Sequence, residues 1–200
     1  AAALELLWGT DTSVAAARIG RHRLAAGDAG GALAPLFSAA RAAVDEGDVL
    51  EAKGLLEDWT RARVASGVGD TDARMAPALI LQATVADREG QHDEARRLAD
   101  RAALIAGPDR RAFAAARRVA AEAALSAGQL DEAARLLEEA RAHSAAIDDR
   151  LGLAQALRTL GDVHYWRGAR APATRLYREA HGIFQAVGRQ VDVAQSLWSL

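Results

Sequence analysis

Gly128-Gln129-Leu130-Asp131-Glu132-Ala133-Ala134-Arg135-Leu136-Leu137-Glu138-Glu139-Ala140 is the stretch whose reading decides the fold. A glycine opens it, and from Leu130 onward the apolar residues recur at helical spacing. Leu130, Ala133, Ala134, Leu137 and Ala140 form one stripe, while Asp131, Arg135, Glu138 and Glu139 fall on the other side. Asp131, Arg135 and Glu139 are spaced four apart with alternating sign, worth about 0.2–0.5 kcal/mol per pair on a solvated face. The stretch is therefore a turn followed by an amphipathic helix.

The same glycine, with alanine five residues later, recurs at Gly47/Ala52, Gly90/Ala95 and Gly168/Ala173. A step near forty residues, with one helix before each glycine and one after it, is the signature of a stacked array of helix pairs. In the last third the repetition extends to side chains: Ala154-Gln155-Ala156-Leu157-Arg158-Thr159-Leu160 returns as Ala194-Gln195-Ser196-Leu197-Trp198-Ser199-Leu200. The twenty-residue step from Gly27 to Gly47 is half a repeat, an irregularity that marks the N-terminal helices as an adaptor.

Composition agrees with helices. Half of the 200 residues are hydrophobic, about a quarter of them all are alanine, and nine are aromatic. The buried surface must come from Ala and Leu at close helix approach, and runs of β-branched residues that would make strands are missing. The expectation is an all-α, right-handed α-solenoid of antiparallel pairs with about eleven helices, over 2–8, 12–26, 30–46, 49–65, 72–89, 92–106, 109–127, 130–146, 150–167, 170–187 and 190–200. One domain spans 1–200: adaptor helices at 1–32, repeats at 33–72, 73–109, 110–149 and 150–189, and the start of another at 190–200, as a fragment of a longer chain. Ser66 to Thr71 is the longest loop and the expected flexible joint, with Asp70 or Thr71 capping the helix after it.

Chemistry finds little foothold. The net charge is −2 and cysteine is absent, which argues against nucleic acid as a direct partner and removes disulfides and thiolate metal sites. His22, His92, His143, His164 and His181 lie in no ligand motif. Gly27-Asp28-Ala29-Gly30-Gly31 lacks the strand and the lysine of a phosphate loop and reads as a turn between helices. No serine sits in a nucleophile elbow. The chain is expected to be no enzyme, with no cofactor and no metal. No apolar run reaches the length of a membrane span, so the location expected is cytoplasmic. Twenty-four arginines against the single lysine, Lys53, suggest a GC-rich genome.

These residues resemble tetratricopeptide repeats, in which a small residue midway along helix A, a turn glycine, a small residue early in helix B, a bulky one four later and an alanine after that recur in order. Gly161, Gly168, Ala173, Tyr177 and Ala180 follow it, as do Ala121, Gly128, Ala133, Leu137 and Ala140. Gly90, Ala95, Ala99 and Ala102 follow it with a small residue where a bulky one is usual; Gly47, Ala52 and Leu56 follow it until Trp59 replaces the alanine. Units of about forty residues with the linker Asp149-Arg150-Leu151-Gly152 are similar to the arrays of bacterial STAND-type signalling ATPases, transcription regulators and kinase-linked regulators. The segment from Arg21 to Asp28 resembles the one that follows the ATPase module in such proteins.

The resemblance implies a scaffold whose A helices line a concave groove. Carried over by position, the groove residues are Phe37 and Arg41; Ile80, Thr84, Asp87 and Arg88; Arg118 and Glu122; Gln155, Arg158, Asp162, Tyr165 and Trp166; and Gln195 and Trp198. The partner implied is a protein or peptide, another domain of the same chain included, with oligomerisation open. Alternatives of another class are a small-molecule sensor, which would need a deep and partly apolar pocket, and a structural or oligomerisation spacer.

Overall fold

The computed structural model describes residues 12–189, and among them the chain folds into nine α-helices, one short 3₁₀ turn and no strand. They are α1 (Thr12–Ala25), α2 (Ala29–Glu46), α3 (Val49–Ala65), α4 (Ala76–Arg88), α5 (His92–Ile105), α6 (Arg110–Ser126), α7 (Leu130–Ala146), α8 (Arg150–Trp166) and α9 (Arg170–Ala186), with the 3₁₀ turn at Ala73–Met75. Each matches one of the expected helices; the other two, at 2–8 and 190–200, lie outside the described residues. Each helix packs on the next, and α4 also packs on α6 and α6 on α8. The result is a stack of pairs: α2/α3, α4/α5, α6/α7 and α8/α9.

Nearly every helix stops in the same way. Gly27, Gly47, Gly67, Gly90, Gly128, Gly168 and Gly188 have φ between 73° and 84°. At Gly128 the amide donates to the Leu125 carbonyl and the next amide, of Gln129, to that of Ala124, the paired bonds of a Schellman turn. The same pairing closes the helices at Gly27, Gly47, Gly67, Gly90, Gly168 and Gly188. Left-handed turns thus fall about every twenty residues, within pairs and between them. The step from Gly27 to Gly47 is the rule of the array, so the adaptor reading of residues 1–32 loses the observation that motivated it. At the end of α7 the glycine is replaced by Asp148, the one described non-glycine residue with positive φ, at 52°. Gly107, with φ 55°, makes a different turn ahead of Pro108.

Helix starts are capped by aspartates: Asp28, Asp48, Asp109 and Asp149 each accept a hydrogen bond from a backbone amide in the first turn. After the long loop the cap is Asp72, on the Arg74 amide, in place of the expected Asp70 or Thr71; the 3₁₀ turn it opens delays α4 to Ala76. Asp70 instead pairs with Arg63, which also donates to the Val68 carbonyl, so the expected joint is tied to α3. Pro35 sits inside α2 and cannot donate to the Gly31 carbonyl; the Arg23 guanidinium of α1 donates to that carbonyl instead, at 3.0 Å.

The core is built at alanine crossings. Ala52, Ala95, Ala133 and Ala173, the cassette alanines, are all buried. Gly161 shows why a small residue is needed in helix A: a Cβ there would lie 2.5 Å from the Tyr177 ring. On the outer face Arg96 bridges Asp100 and Glu132 while Arg117 bridges Asp100 and Glu139. The Arg135 and Arg96 guanidiniums hold the Glu132 carboxyl down at about 2. Asp131 departs from the intrahelical pattern and pairs with Arg167, the residue just after α8, which also donates to the Leu130 carbonyl.

Candidate functional site: a charged groove across the A helices

Helices α2, α4, α6 and α8 present one face to a common cavity of about 900 Å³, open to solvent. It forms because the pairs stack at a fixed register. Residues offset by the spacing of the turn glycines fall in rows across the four helices. One row is Phe37, Ile80, Arg118, Arg158; the next, one helical turn on, is Arg41, Thr84, Glu122, Asp162.

The structure brings Arg41, Asp87, Arg88, Arg118, Glu122, Gln155, Arg158 and Asp162 together in this cavity, with Ile80 and Thr84 between them. Phe37 lies outside its lining, in a separate slot with Leu33, Trp59 and Pro77. Tyr165 and Trp166 stand apart from it as well: at the C-terminal end of α8 they are 53% and 68% exposed and meet edge to face at 5.9 Å. Gln195 and Trp198 lie outside the described residues. Residues that reading by position passed over are Asp45, Ser126 and Arg189, which also line the cavity. Asp45 and Ser126 fall in the row one turn beyond Arg41 and Glu122, so the repeat register itself was the signal that could have found them.

The groove is laced with ion pairs. Arg118 donates to Glu122 at 2.6 Å, and Arg158 approaches Asp162 at 3.5 Å. Asp162 also accepts from the Tyr177 hydroxyl at 2.8 Å. Burial pushes the Asp162 carboxyl above its ordinary range and the Glu122 carboxylate adds to this, against the Tyr177 hydrogen bond and the Arg158 charge. The Tyr177 hydroxyl is raised in turn by burial and by Asp162. At the other end Arg88 donates to the Val44 carbonyl at 2.6 Å, while Asp87 takes His92 Nδ1 at 2.8 Å and the Ser126 hydroxyl at 3.3 Å. These contacts join the ends of successive A helices and spend much of the charge internally. Among the described residues no group of three or more His, Asp or Glu could hold a metal ion, and no helix is long and apolar enough to cross a membrane.

No family model and no curated protein matches the chain. Solved structures do. BtubC (BKLC) from P. vanneervenii superimposes with a TM-score of 0.69 at 20% identity, covering 99% of this chain and 82% of that one. The nearly identical TPR-like repeats of a putative kinesin light chain from Podosopora anserina superimpose with a TM-score of 0.56 at 20% identity, covering 90% and 99%. A second structure of those repeats gives 0.58 at 21%, covering 89% and 98%. The fold is thus a TPR-like helical-repeat array.

Proposed function

We propose that this chain is an interaction module that holds an extended segment of a partner protein, or of another domain of its own protein, in the groove across α2, α4, α6 and α8. What carries the reading is the gathering of charged and polar residues from the four A helices onto one open, continuous face. A curved face built on packed helices binds with little ordering cost of its own. Its openness and its lacing of ion pairs suit a chain running across several repeats better than an enclosed small molecule. The context proposed, from the resemblance of the forty-residue units and the Asp149-Arg150-Leu151-Gly152 linker, is a larger bacterial signalling or transcription-regulatory protein in the cytoplasm. The module itself carries no reaction.

The test is selection of binders from a library of random twelve-residue peptides displayed on phage, followed by synthesis of the enriched ones. Thr84→Trp fills the middle of the groove whatever the charge of the ligand. The enriched peptides should bind the parent chain and lose binding to this variant, with its helical circular dichroism unchanged. Peptides that bind both equally well, or no enrichment at all, would refute the groove reading.

A further inference from the structure

The four-helix face is not uniform, and the break falls at one side chain. Ala102, Ala140 and Ala180 occupy equivalent positions in the B helices of the last three pairs, each 0–1% exposed. In the first pair that position holds Trp59, also buried, at 6%. An indole where the array elsewhere closes on a methyl group holds α3 and α4 apart, and these two touch far less extensively than α5 and α6 or α7 and α8. The opening is a slot of about 250 Å³ walled by Leu33, Phe37, Trp59, Val68 and Pro77, with Arg74 at its rim. Arg74 is spent on Asp72, which leaves the slot apolar.

Along the groove the first row changes character at the same place. Phe37 and Ile80 give way to Arg118 and Arg158, and in the next row Arg41 and Thr84 give way to Glu122 and Asp162. At the charged end one oxygen of each carboxylate is committed, Glu122 Oε1 to Arg118 and Asp162 Oδ1 to Tyr177. Among the described residues the other oxygen of Asp162 has only Arg158, at 3.5 Å, beyond hydrogen-bonding reach. This half-buried carboxylate gains most from a further cation.

Building on the groove reading above, we infer that the ligand is a peptide segment with a bulky apolar side chain in the Trp59 slot and a lysine or arginine on Asp162 and Glu122. The slot lies between α2 and α4 and the carboxylates lie on α6 and α8, two helix spacings away, or about 20 Å. An extended chain covers that in about six residues.

The peptides enriched by the phage selection decide this separately from the groove itself. The expected sequences pair Leu, Phe or Trp with Lys or Arg about six positions away. By fluorescence anisotropy, a labelled synthetic peptide of this kind should lose at least tenfold in affinity when its basic residue is changed to Glu, and likewise when its apolar anchor is changed to Ala. Phe37→Ala and Asp162→Asn should each cost at least tenfold as well. Glu122→Gln, which leaves the Tyr177 hydrogen bond to Asp162 in place, repeats the charge test should Asp162→Asn lose helicity. Groove-dependent peptides that are acidic, or that ignore both Phe37 and the two carboxylates, would overturn the inference and leave the groove reading standing. Failure to enrich any groove-dependent peptide would overturn both.

Discussion

The junction of α7 with α8 and that of α3 with α4 are the same step of one array, yet they are built differently. Between α7 and α8 the turn is short, Asp149 caps the next helix, and Ala140 lets the backbones approach. Between α3 and α4 the connection runs from Ser66 through a 3₁₀ turn, and Trp59 fills the space in place of an alanine. A solenoid keeps its curvature by repeating one crossing, so a single large residue at a crossing is felt as an opening at the surface. The first junction thereby offers an apolar slot, and the later ones offer a surface closed by charge.

Removing the large residue is the strongest way to break this contrast. Trp59→Ala should cost about 3–5 kcal/mol, as buried aromatic truncations do where the cavity left behind is not refilled. A urea titration followed by circular dichroism would read this. A loss under 1 kcal/mol would mean that the slot collapses freely and that Trp59 does not set the spacing.

The converse change enlarges a residue where the array is tight. Gly161→Ala places a Cβ 2.5 Å from the Tyr177 ring, and overpacking of this kind costs about 1–3 kcal/mol. The equivalent enlargement in the third pair, Ala121→Val, faces Leu137, a smaller side chain than a tyrosine ring, and should cost less. Equal midpoints for the two variants would show that the two pairs do not differ in this crossing.

Much of this architecture was legible in the sequence, because turns and crossings are written in residue types with few substitutes. The glycines at 47, 90, 128 and 168 marked turns between helices, and each turn is there, in the left-handed region. What escaped is where a residue's role depends on its neighbour in space. Trp59 was visible as an exception, but the slot it makes needs Phe37 from α2 and Pro77 from α4. Tyr165 and Trp166 fit the groove by position along α8; however, they fall at its last turn, past the cavity. Asp70 looked like a cap by spacing and was drawn off by Arg63.

The turns themselves allow a smaller comparison, between Gly128 and Asp148, which hold the two ends of α7 in the same left-handed region. Gly128→Val should destabilise by about 1–2 kcal/mol, the cost of a β-branched residue there, and by more than Ser126→Ala. Asp148→Gly should do the opposite and stabilise by about 1 kcal/mol or less, since Asp tolerates this region only partly. A loss of stability in Asp148→Gly would mean that its side chain contributes more than its backbone costs.

The smallest effect expected separates Asp162 from Glu132, carboxylates on the inner and outer faces whose surroundings push them in opposite directions. Glu132, held low by Arg135 and Arg96, favours the fold once ionised, and its contribution is lost as pH falls toward about 2. Asp162 is raised in the folded chain, first by burial, so its unfolded value of 3.8 lies below its folded one. Its contribution to stability is complete below 3.8 and is lost as pH rises through the folded value, which leaves a cost at neutral pH. Asp162→Asn keeps an acceptor for the Tyr177 hydroxyl and removes the ionisation. The difference in melting temperature, parent minus variant, should therefore shrink as pH is raised from 3.5 to 7. A difference that grows over that range would show that Arg158 already compensates the carboxylate, and the groove would then have no vacancy for a ligand's cation at its charged end.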